Sequence, residues 1–128
     1  MQDENVEDWV RKAEGDFRTA TRELQVKDSP NFDAVCYHSQ QCAEKYLKSY
    51  LISQRQAYPK VHKLIEILNV CLTVDSSFEF IRQELETLTG LDTLRYPYDF
   101  AMIEEAQLAI QQATVIRRFL RQKLNLEK

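Results

Sequence analysis

Met102, Ala106, Ala109, Ala113, Ile116 and Leu120 follow one another at spacings of four and three. This is one stripe of a 3.6-residue period held for about five turns, and a strand cannot bury it because strand side chains alternate by two. Alanine at three of the positions lets a neighbouring helix approach closely, as in bundle packing. An earlier stretch follows the same rule: from Asn5 to about Val26, Trp9, Val10, Ala13, Phe17, Ala20 and Leu24 form a second such stripe. With only two glycines and three prolines in 128 residues, little in the chain interrupts helices.

The remaining segments read the same way. Ser29 followed by Pro30 predicts a helix cap with proline at the first helical position. The helix then runs from about Pro30 to Ser53, with Phe32, Val35, Cys36, Cys42, Ala43, Tyr46, Leu47, Tyr50 and Leu51 on one broad face. Gln41, Glu44, Lys45 and Lys48 fall on the other, which predicts a solvated face with a Glu44 to Lys48 pair worth about 0.3 to 0.5 kcal/mol. Residues 54 to 61 have no period and contain Pro59, so they predict a loop. Leu64, Ile65, Leu68, Cys71 and Leu72 predict a short third helix. Ser76 and Glu79 have the spacing of a capping box for a fourth, seamed by Phe78, Ile81, Leu85 and Leu88 and ending near Gly90. Asp99 is expected to cap the last helix. The expectation is an all-α chain, an antiparallel four- to five-helix bundle forming a single domain over residues 1–128.

Composition excludes several functions. The opening MQDENVEDWV is acidic where a secretory signal is basic and then apolar, and no run approaches the ~20 apolar residues that cross a bilayer, so a cytosolic protein with no membrane partner is expected. Cys36, Cys42 and Cys71 are odd in number and lack C-x-x-C spacing, which predicts buried reduced thiols. No glycine-rich phosphate loop or nucleophile elbow occurs. His38 and Cys42 stand four apart, but no Glu-x-x-His pair accompanies them, so neither a metal nor a cofactor is expected. Cys36 and His38 are near in sequence but diverge around a helix, which makes them a weak nucleophile and base. Arg117, Arg118 and Arg121 would suit the negative end of the last helix, or contact a phosphate.

The stretch TLRYPYDF stands out against this background. Residues 75 to 105 hold eight acids against Arg82 and Arg95, and the net charge of the whole chain is -3. Arg95 is therefore an isolated cation in an acidic neighbourhood. Two readings of it stay open. Arg95 can hold a phosphate bidentately while Tyr96 or Tyr98 offers a ring or hydroxyl to a base or ribose. Alternatively, Arg95 pairs with Asp92 or Asp99 and Tyr96 packs a corner.

Three stretches in register, YHSQQCAEKYLKSYL, YPKVHKL and RYP, resemble the HEPN family of small helical bundles. The matching residues are Tyr37, Gln40, Gln41, Glu44, Lys45 and Lys48, then Pro59, His62 and Leu64, then Arg95, Tyr96 and Pro97. The resemblance implies a homodimer whose last helices line a shared cleft with Arg95 at its edge. It also implies a minimal nucleotidyltransferase protein as partner, in a toxin-antitoxin-like module, and nucleotide or RNA as ligand. Ribonuclease members carry a histidine after four to six intervening residues, for which this chain has Phe100, Ala101 and Met102. No catalytic residue is carried over. The alternatives are a non-enzymatic helical interaction module, for which the acidic balance and missing histidine speak, and a metal-independent ribonuclease.

Overall fold

In the computed structural model, which describes residues 5–92 and 99–127, the helical stripes fold onto one another. Five α-helices are present among the described residues: α1 (Val6–Leu24), α2 (Phe32–Ser53), α3 (Leu64–Val74), α4 (Arg82–Leu91) and α5 (Ile103–Lys123). A 3-10 helix, Ser76–Ile81, leads into α4. The expected all-α bundle is what forms, and none of the described residues is in a strand.

The centre of the bundle is α2, which packs against each of the other four helices. Its most extensive partner is α1, where Ala13 and Ala20 are fully buried and their small side chains let the two helices close together. Beyond them, Tyr46, Leu47, Leu51, Leu68, Phe78, Leu85, Leu88, Ile116 and Leu120 fill a contiguous core. Phe78 stands at its centre, with the Tyr50 ring centroid 4.5 Å away and the Phe119 ring edge-on at 5.1 Å. Burying side chains of this size stabilises a fold by about 1.5 to 3 kcal/mol each.

Three predicted helix starts move. Ser29 takes a left-handed φ of 54°, so the cap of α2 is Asn31 instead, whose side chain accepts from the Ala34 amide at 3.0 Å. Asparagine caps as well as serine, and Pro30 keeps the residue before it out of the helical region. Ser76 and Glu79 do not make a capping box. Asp75 takes that role, accepting from the Ser77 amide at 2.9 Å and hydroxyl at 2.7 Å, while Glu79 pairs with Arg82. Asp99 lies three residues short of the α5 cap, Met102, whose amide donates to Glu105 at 2.8 Å. Asp33 at the start of α2 accepts from the Ala101 amide at 2.7 Å and so fixes the approach to α5.

The helix ends follow a common device. Arg55 after α2 and Asn125 after α5 adopt left-handed φ values of 58° and 59°. Their amides and those of the next residues return to the last turn, Arg55 to Ile52 and Gln56 to Leu51, Asn125 to Gln122 and Leu126 to Arg121. These are the paired bonds of a Schellman stop. The turn after α2 sends the chain back along the bundle towards His62, and this return creates the site.

Candidate functional site

Because α2 is surrounded, its polar residues are not on a solvated face as expected. Glu44 and Lys48 are buried, and Gln41 and Lys45 are half-buried. A helix that packs on all sides must bury some of its polar positions, and each then needs a partner. Lys48 Nζ donates to Glu44 at 3.0 Å and lies 5.9 and 5.3 Å from the ring centroids of Trp9 and Tyr58. His62 Nδ1 stands 3.0 Å from the same carboxylate. Gln40 donates to the His62 carbonyl at 3.0 Å, and Gln41 donates to Gln40 at 3.0 Å. The residue leading into α3 is thereby held by both backbone and ring.

Two further charged clusters join α1 to its neighbours. Asp16 lies inside the apolar stripe of α1 and accepts from Lys45 at 2.5 Å, with His38 Nδ1 at 2.8 Å. No spacing rule marked it, because one carboxylate in an apolar stripe gives no signal until its partners on α2 are in place. Glu14 takes a bidentate pair from Arg117 at 2.7 and 2.8 Å and a hydrogen bond from the Tyr46 hydroxyl. Burial pushes the Glu14 carboxyl up, but the bonds from Arg117 and Tyr46 and the charges of Arg117 and Arg121 outweigh it and hold it below the usual range. Burial and the Glu14 bond raise Tyr46. Arg117 and Arg121 are thus paired with Glu14, and Arg121 also with Tyr46 and, at the surface, with Glu127. Arg121 also falls in the last turn of α5, where a cation suits the negative helix end as expected.

His38 faces Asp16, and the Cys42 thiol is buried, its pKa raised first by desolvation and then by the nearby Glu14 and Asp16 charges. The two do not form a ligand pair, and among the described residues no group of three or more His, Cys, Asp or Glu is placed to hold a metal. Cys36, Cys42 and Cys71 are free and buried, and burial pushes the Cys71 thiol up to about 12. No helix among the described residues is long and apolar enough to cross a membrane.

Two open clefts share the exposed ring of Tyr37. One, about 400 Å³, is lined by Tyr37, Gln40, Gln41, His62, Lys63, Leu64, Thr89 and Asp92. The other, about 600 Å³, is lined by residues 29–34 with Tyr37, Phe100 and Ala101. Asp92 is the last described residue before positions 93–98, and Phe100 follows closely after them. Arg95, Tyr96 and Tyr98 lie outside the described residues. The structure does bring together the other two segments singled out from the sequence, with Tyr37, Gln40 and Gln41 meeting His62 and Leu64 around one cleft.

The HEPN domain family matches residues 6–123, which spans all five helices. The chain belongs to the HEPN family. The crystal structure of an archaeal HEPN homologue superimposes with a TM-score of 0.69 at 25% sequence identity, covering 92% of this chain and 96% of that one. No curated protein matches the chain. Within this HEPN domain, Glu44 and Lys48 occupy the bundle interior, and Gln40, Gln41 and His62 open onto the cleft.

Proposed function

We propose that this HEPN domain is a nucleotide- or RNA-binding homodimer of the cytosol, the partner of a minimal nucleotidyltransferase in a toxin-antitoxin-like module. Arg95 is the main phosphate contact in this reading, and Tyr96 and Tyr98 supply a ring face or hydroxyl to base or ribose. What supports it is the convergence of Tyr37, Gln40, Gln41 and His62 on a cleft that ends at Asp92, three residues before Arg95. Amide donors beside an exposed aromatic ring suit a phosphate ester carrying a base, and the guanidinium of Arg95 would add a bidentate donor. The test is Arg95→Ala. Affinity for a short single-stranded RNA or for AMP is expected to fall while circular dichroism and the dimer mass stay as in the wild type, and an unchanged affinity ends the reading.

A second reading, a helical module that binds a partner protein without ligand chemistry, draws on Phe100, Met102 and Ile103. These apolar side chains are exposed at the entry to α5. Co-purification of a protein partner that is insensitive to Arg95→Ala, with no nucleotide retained, would favour it over the first.

A further inference from the structure

The ring of His62 stands out in solvent with 83% of its side chain accessible, yet it is held by a carboxylate of which 4% is accessible. Glu44 already has a counter-ion in Lys48, itself 6% accessible, so His62 is not needed to balance a buried charge. An ion pair withdrawn from water costs desolvation of both groups and is weak evidence of a stabilising role. Spending it on an exposed ring orients that ring. Nδ1 faces the carboxylate at 3.0 and 3.3 Å and is the donor nitrogen, which leaves Nε2 on the open side. Gln40 fixes the carbonyl of the same residue, so backbone and imidazole are both set before anything binds.

We propose that His62 Nε2 is a ligand contact of the 400 Å³ cleft, donating to a phosphate oxygen of a ribonucleotide, with Glu44 as its positioning residue. This rests on the nucleotide-binding reading above and adds a second phosphate donor to it. Among the described residues, the charged groups around the ring are Glu44 and Lys48 from α2, with Lys63 and Asp92 lining the same cleft. With Nδ1–H directed at Glu44, only the protonated ring has a hydrogen to give from Nε2.

Two amide substitutions separate binding from loop docking. The side-chain amide of His62→Asn can take the place of Nδ1 against Glu44 but reaches no further, whereas that of His62→Gln extends to the place of Nε2. Binding of a labelled single-stranded RNA oligonucleotide by anisotropy, and of AMP by calorimetry, is measured for both variants and for Arg95→Ala, with thermal melts as the folding control. His62→Asn is expected to melt like the wild type and to bind roughly tenfold more weakly, with His62→Gln recovering part of the loss. Loss with both probes identifies a mononucleotide phosphate contact, and loss with the RNA alone an internal phosphate of the strand. If His62→Asn binds as the wild type does, the ring only docks its loop and the inference falls. If that happens while Arg95→Ala still weakens binding, the nucleotide-binding reading stands without it. If the wild type binds neither probe, both fall.

Discussion

Glu14 on α1 and Glu44 on α2 are both largely withdrawn from water, and each joins a tyrosine or histidine to basic side chains, but the two clusters end differently. Around Glu14, the partners Arg117, Arg121 and Tyr46 also bond or stack within the bundle, with the Arg117 guanidinium 5.0 Å from the Phe17 ring centroid and Arg121 donating to Tyr46 at 3.2 Å. The network closes on itself and ties α5 to α1 and α2. Around Glu44, one partner, Lys48, is buried against Trp9 and Tyr58, and the other, His62, projects into a cleft. The closed network ties helices together, whereas the open one carries orientation from the core to the surface, and this difference, rather than burial itself, is what singles out the His62 cleft as the candidate site.

The strongest attempt to break the comparison is Glu44→Ala. It leaves Lys48 buried without its anion and is expected to lower stability by about 3 to 5 kcal/mol in urea unfolding, as for other broken buried pairs. Replacing both partners, with Glu44→Leu and Lys48→Met, should recover most of that loss while ligand binding stays impaired. Equal losses in the single and double variants would show that the pair itself stabilises the fold. Glu14→Ala should cost somewhat less, about 2 to 4 kcal/mol, because Glu14 and Arg117 keep 20% and 29% of their side chains in contact with solvent. Ligand affinity of the folded fraction should not change. A binding defect there would show that the closed network also reaches the site.

Acid sharpens the comparison further. Asp75 is held down to about 2, chiefly by its hydrogen bond from Lys123 and then by the Ser77 hydroxyl and amide, and Glu14 also lies below its usual value. Both carboxylates bind protons more tightly in the unfolded chain. Their contribution is therefore complete above the ordinary carboxylate range and is lost as pH falls, for Asp75 between about pH 4 and about pH 2. Unfolding midpoints measured down this range should drop, and Asp75→Asn should flatten the lowest part of the curve. The smallest effect is expected for Glu79→Ala. That side chain pairs with Arg82 in solvent, and no change in the midpoint should be measurable.

The fold was largely readable before any coordinates. Stripes of apolar residues gave all five helices, and the breaks at Pro30 and Pro59 separated the first three. The starts of α2 and the 3-10 helix were misjudged because Ser29 and Ser76 each lie within two residues of an equally good capping group, and local spacing does not choose between Ser29 and Asn31 or between Ser76 and Asp75; α5 starts three residues beyond Asp99, where Glu105 reaches back to the Met102 amide. The site was readable in part. Tyr37, Gln40, Gln41, Glu44, Lys48 and His62 were all marked by resemblance, but Gln41, Glu44 and Lys48 were also assigned to a solvated face, and the burial of Glu44 and Lys48 went unseen.

That misassignment has a physical cause. The periodicity of one helix reveals which of its faces is apolar, so the sequence alone determined a bundle of amphipathic helices with reduced, buried thiols. It does not reveal how many neighbours a helix will have. Only the tertiary structure decided that α2 is enclosed by α1, α3, α4 and α5, and enclosure turns an exposed pair four residues apart into a buried one that must find partners. The pairing of Glu44 with His62, eighteen positions apart, exists because the loop after α2 returns along the bundle, a closure that no local pattern encodes.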